Sequence, residues 1–259
     1  MTSEHEHSSE HVNVAGVRLR VLKAGSGPPL LVLHQDIGNP GWLPFHQALA
    51  ERHTVYVPDF PGWGESERAT WMRSVRDLAV VLHHLEDRLG LEEISLVGLG
   101  LGGWAAAEMA TMDQRRYRRL ALVGPCGLQP EEGEILDQFI VAYDEYVRTG
   151  FKDAAAYEAA FDKEADVETL MSWDLAREMV ARIAWKPYLF SQTLPYLLGE
   201  LRLPTLVAWG RHDRVVPPTV AQQFAKAIPG ARVELFDAGH YVEFEQPAAL
   251  AAAILGAGR

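Results

Sequence analysis

Apolar and polar positions change period several times along this chain, and each change marks an element. Val12–Val14 and Val17–Lys23 alternate about Ala15-Gly16, which predicts a β-hairpin. Leu30–His34 and Thr54–Val57 are continuous apolar runs, as expected for strands covered on both faces. A helix is expected from about Leu43 to Arg52. A longer one is expected over Val75–Leu89, where Val75, Leu78, Ala79, Leu82, Leu85 and Leu89 recur at helical spacing before Gly90 as C-cap. Ile94–Val97 and Leu120–Val123 repeat the strand signature around a helix over Gly102–Met112.

From Leu128 to Gly199 the strand signal disappears. Only helical, aromatic-rich segments remain, one of them Ile135–Val147, with Ile135, Leu136, Phe139, Ile140, Tyr143 and Val147 on one face. Alternation resumes with a strand at Thr205–Trp209, a helix around Val220–Ala227, a strand at Arg232–Phe236 and a helix near Ala248–Leu255. Strands alternating with helices imply an α/β fold with a mostly parallel sheet flanked by helices. The expected organisation is a disordered tail over 1–10, the first part of the core over 11–127, an inserted helical lid over 128–200 and the second part of the core over 201–259. No internal repeat or low-complexity run interrupts this.

The 259 residues carry 24 basic and 35 acidic side chains, a net charge of −11. Such a surface repels phosphate backbones, so no nucleic-acid partner is expected. No signal peptide is visible and no apolar run is long enough to span a bilayer; a cytoplasmic location and no membrane partner are therefore expected. The one cysteine, Cys126, excludes an internal disulfide and a cysteine zinc cage. No cofactor and no metal site is called for, and the oligomeric state leaves no mark in the sequence.

Ligands in such sheets bind beyond the carboxyl ends of the strands. Four loops should meet there: His34-Gln35-Asp36-Ile37-Gly38, Gly98–Gly103, Gly210–Pro217 and Ala238-Gly239-His240. The second has the frame of a nucleophile elbow, G-x-S-x-G between strand and helix, but its central position is Gly100. With the strand-ending His34, the Asp59–Ser66 segment and the order elbow, acid, histidine, the chain resembles the α/β-hydrolase family, particularly its lidded branch that cleaves esters, lactones or carbon–carbon bonds.

That resemblance implies Asp213 as the acid, His240 as the base and Gly100 as a vacant nucleophile position. The backbone N–H groups of Leu101 and Gln35 would form the oxyanion hole. His34, Asp36, Trp104 and Cys126 are candidates to line the substrate site, although Asp36 could instead cap a turn, Trp104 could be core, and Cys126 a small buried hydrophobe. Gly100 cannot form an acyl-enzyme. Three readings follow. An enzyme could act on a small apolar carbonyl compound through His240 and Asp213, using water held above Gly100 or the substrate's own proton. Alternatively the protein is a ligand-binding pseudo-hydrolase, or a serine hydrolase inactivated by Ser→Gly. A water above Gly100 within reach of His240 would support the first, and a pocket plugged by a side chain would point to a decayed site that kept its fold and lost its chemistry.

Overall fold

A computed structural model describes residues 7–256. Its centre is an eight-stranded sheet of β1 (Ser8–Val14), β2 (Val17–Ala24), β3 (Pro29–Leu33), β4 (Thr54–Pro58), β5 (Ile94–Leu99), β6 (Tyr117–Val123), β7 (Thr205–Gly210) and β8 (Arg232–Phe236), in the order β1-β2-β4-β3-β5-β6-β7-β8. The β1–β2 and β2–β4 pairings are antiparallel; the others are parallel. The hairpin turns at Ala15 and Gly16, with φ of 50° and 83°, the primed geometry that matches strand twist.

The apolar runs are continuous because the sheet has a core on each side. Leu31, Leu33, Leu96, Leu122 and Val207 face one core, with α2 (Val75–Leu89), α3 (Leu101–Met112) and α8 (Val220–Ala227) packed on it. Leu30, Val32, Val97, Val123 and Leu206 face the other, covered by α1 (Pro44–Ala50) and α10 (Pro247–Gly256). Burying one such side chain contributes roughly 1.5–3 kcal/mol. Helix α2 starts where Ser74 accepts the N–H of Asp77 and stops at Gly90, φ 64° and ψ 34°, an αL cap.

Two expectations need correction. Residues 8–10 are not a disordered tail: Ser8, Ser9 and Glu10 pair with Lys23, Leu22 and Val21. Backbone pairing holds this strand although most of its side chains are exposed; residues 1–6 lie outside the described part. The helix expected over Ile135–Val147 begins only at Tyr143, as α4 (Tyr143–Gly150). Upstream, the Leu136 N–H bonds the Val215 carbonyl and Asp137 accepts the Phe139 N–H; Ile140 is 80% exposed. Helical spacing there reflects separate contacts of an irregular segment, not one apolar face.

Between β6 and β7 the chain also forms α5 (Ala154–Phe161), α6 (Val167–Ala184) and α7 (Leu194–Leu198). This insertion lies against α9 (Val242–Glu245) through Phe151, whose ring is 5.1 Å from Tyr241 and 5.9 Å from Phe244. Among the described residues no helix is long and apolar enough to cross a membrane.

Candidate functional site

Strand β5 enters a sharp turn at Gly100, φ 50° and ψ −112°, and α3 begins at the next residue. L side chains rarely adopt this φ, so glycine relieves strain at the elbow. The Gly100 N–H donates to the Val123 carbonyl at 2.9 Å, and its own carbonyl accepts from Trp104 and Cys126. Gly102 must also lack a side chain, because a Cβ there would meet the carbonyls of Leu33 and His34. Leu101 is the first residue of α3, so its N–H lies at the positive end of the helix.

His240 follows β8, and its Nδ1 lies 2.8 Å from Asp213 Oδ2. The other oxygen, Oδ1, accepts the N–H groups of Val215 and Val216 at 2.8 and 2.9 Å. Both side chains are buried. Burial opposes a charged imidazole, but the Asp213 carboxylate outweighs it by charge and hydrogen bond, with Asp36 and Glu243 beyond, and the His240 pKa is raised. The His240 N–H donates to the Gly150 carbonyl at 2.6 Å, so the inserted segment helps to seat the ring.

The space above Gly100 does not belong to water, as the sequence had suggested. It holds the side-chain amide of Gln35. A Cβ on Gly100 would overlap Gln35 Oε1, lie 2.9 Å from its Cδ and lie 3.2 Å from His240 Nε2. The free imidazole nitrogen therefore faces the elbow, with a glutamine amide where a serine hydroxyl would stand. Gln35 Nε2 makes a long, 3.4 Å bond to Glu243 Oε2, and Gln35 Oε1 is buried without a hydrogen-bond partner among the described residues. Burial pushes the Glu243 carboxyl up to about 7.

His34, a candidate for substrate contact, is committed elsewhere. Its Nε2 accepts the Phe60 N–H at 3.0 Å, which leaves Nδ1–H to donate to the Gln35 carbonyl at 2.6 Å. The ring stacks on Phe60 at 3.7 Å, and burial lowers its pKa to about 4. It is a neutral brace for the loop, with no ring nitrogen left for a ligand. Trp104 is buried, donates to Glu108 at 3.2 Å and packs at Gly127, below the site. Cys126 is buried, and burial pushes its thiol well up, so it is a small hydrophobe rather than a relocated nucleophile.

Asp36 is brought into the site. It is buried, and its Oδ2 accepts Tyr146 Oη at 2.7 Å and Gln138 Nε2 at 3.1 Å, both from the insertion. Asp36 Oδ1, Tyr143 Oη, Tyr241 Oη and Glu243 Oε1 are buried and unpaired among the described residues. The sequence does not single out Glu243, Tyr146 or Tyr241, and it marks Tyr143 only as an apolar-face position of the aromatic-rich insertion. Only the three-residue step from His240 to Glu243 hinted at one of them. Among the described residues no group of three or more His, Cys, Asp or Glu could hold a metal. A groove of about 690 Å³ lies at the seam of the Asp36 loop and the insertion, lined by Ile37, Asn39, Phe161 and Trp173 among others.

The sequence profile of the Alpha/beta hydrolase family matches residues 30–253. A 2-hydroxy-6-oxononadienedioate/2-hydroxy-6-oxononatrienedioate hydrolase of Paraburkholderia phymatum is 31% identical over 263 residues, covering 92% of this chain and 91% of that protein. A 2-hydroxy-6-oxo-6-phenylhexa-2,4-dienoate hydrolase of Burkholderia cepacia is 27% identical, covering 90% and 88%. Among solved structures, a serine hydrolase involved in carbazole degradation superposes with a TM-score of 0.77 at 23% identity, covering 97% of this chain and 98% of that one. With the sheet order, the elbow and the buried acid–histidine pair, these matches establish that the chain belongs to the α/β hydrolase family.

Proposed function

We propose that this protein is an enzyme acting on a small, largely apolar carbonyl compound without a serine nucleophile. His240 is its general base and Asp213 the carboxylate that orients it. The observation that carries this reading is the buried 2.8 Å bond from Asp213 to His240, kept beside an elbow from which the hydroxyl is missing. Asp213 fixes the tautomer and stabilises the imidazolium, as in a triad. The named activities of the relatives, all on oxo compounds, support a carbonyl group in the substrate.

A base in this position has two targets, water or the substrate itself. Gln35 fills the place a water would need above Gly100, which favours the substrate's own proton. His240 Nε2 then takes a proton from the carbon next to the carbonyl, and the C–H pair becomes the C=C bond of an enolate. The π pair of the carbonyl moves to its oxygen, where the N–H groups of Leu101 and Gln35 receive the developing charge. The proton returns from the imidazolium to the product. The segment 128–200 acts as a lid, since His240 is 1% exposed and a ligand reaches it only when that cover moves.

The fit of Gln35 to Gly100 argues against a lone Ser→Gly change, which would leave an unfilled gap. The same filled position is the sign expected of a site that has lost its chemistry, and it favours, as a second reading, a non-catalytic ligand-binding protein. Gly100→Ser, alone and with Gln35→Ala, separates the three on a panel of 2-hydroxy-6-oxo-dienoates, β-diketones and p-nitrophenyl esters. The expected result is a loss of native turnover of tenfold or more with no comparable gain in ester hydrolysis. A gain of about 10³-fold in ester hydrolysis would identify an inactivated serine hydrolase. Tight ligand binding without turnover in any form would identify a binding protein.

A further inference from the structure

Beyond His240, the buried polar cluster has a side that the proposed chemistry does not use. Asp36 is fixed there by Tyr146 and Gln138 through one oxygen, while the other has no partner among the described residues. The ring of Tyr143 stacks on Tyr146 at 5.4 Å, and Tyr241 adjoins His240. The hydroxyls of Tyr143 and Tyr241 are also unpaired, and burial followed by the Asp36 charge pushes both well above the usual phenol range. Fixed, buried and unpaired polar atoms on three elements fit a bound molecule with matching groups.

We propose that Asp36 selects the ligand by pairing with a hydroxyl group of an uncharged hydroxy-carbonyl compound, whose carbonyl oxygen stays with the N–H groups of Leu101 and Gln35 while the hydroxyls of Tyr143 and Tyr241 border the Asp36 side. This rests on the reading of the site given above and adds its substrate class. A hydroxyl both donates and accepts, so it pairs with Asp36 whether or not that carboxyl carries its proton. An ether oxygen cannot donate. A carboxylate cannot donate either, and it adds a further acid to a site where Asp36, Asp213 and Glu243 already surround one imidazole. Arg177, the cation beside Tyr143, is engaged with the ring faces of Tyr143 and Phe139 at 5.7 and 5.6 Å.

Calorimetric titration with 4-hydroxyacetophenone, 4-methoxyacetophenone and 4-acetylbenzoate tests this, on wild type, Asp36→Asn and Asp36→Ala. Wild type is expected to bind the hydroxy compound at least tenfold more tightly than either of the others. Asp36→Ala should bring the hydroxy-to-methoxy ratio within threefold, and Asp36→Asn should keep part of it. An unchanged ratio in Asp36→Ala, equal binding of the carboxylate, or no binding of the hydroxy compound by wild type overturns the proposal. Should Asp36→Ala not fold, the wild-type ratios and Asp36→Asn still decide. If the hydroxyl preference fails while turnover still depends on His240, only this inference falls. If the preference holds without such turnover, only the catalytic reading falls.

Discussion

Gly100 and Gln35 fit one another. The glycine takes a backbone angle that few side chains tolerate, and the amide opposite fills the volume a side chain would have occupied. Asp213 and His240 could be found from sequence because each lies in a short loop after a strand, in the order the family uses. Gln35 was assigned only a backbone role. Nothing in the letters tells which way its side chain turns, and its amide meets Glu243, more than 200 residues away. The same holds for Asp36, whose partners Tyr146 and Gln138 come from the insertion. The pH dependence belongs at this scale. A general base must be unprotonated, and the His240 pKa is raised above its ordinary 6.5. Activity is therefore expected to fall as pH drops through a limb above 6.5. Asp213→Asn removes the strongest group that raises the pKa and leaves Asp36 and Glu243, while burial, which lowers it, remains. A pH–rate profile should show the limb moved to lower pH and kcat down by about 10²–10⁴-fold.

The elements were legible where burial is uniform. Strands β3, β5, β6 and β7 have a core on each side, so their apolar runs could be read directly. The extension of β1 to Ser8 was not legible, because a polar, mostly exposed strand is held by its backbone. The irregular stretch before α4 misled for the opposite reason: apolar residues at helical spacing are used one by one. Helix α4 ends at Gly150, whose carbonyl receives the His240 N–H. A Cβ on Gly150 would overlap the Tyr241 ring, with Cζ at 2.8 Å. Gly150→Ala should therefore push Tyr241 aside and disturb the seat of His240. Thermal and denaturant unfolding should register a loss of about 1–3 kcal/mol, and kcat should fall further than the fraction of folded protein. A kcat that merely follows the folded fraction would show that the insertion does not position the base.

On the scale of the whole molecule, an α/β-hydrolase sheet carries a buried imidazole and carboxylate inside a protein of net charge −11. Parallel strands bring loops 34–38, 98–103, 210–217 and 238–240 to one end, where the segment between β6 and β7 meets Asp36 through Tyr146 and Gln138 and His240 through the Gly150 carbonyl. The fold class and this meeting of loops follow from strand order and so were readable in the sequence. The filled elbow and the polar cluster depend on contacts between distant segments and were not. The measurement that bears most directly on the central claim is the turnover of His240→Ala on the carbonyl compound that wild type converts fastest, with folding checked by its unfolding curve. A folded variant slowed by 10³-fold or more is the predicted result. A folded variant that retains turnover within a few-fold of wild type would contradict the role assigned to this histidine.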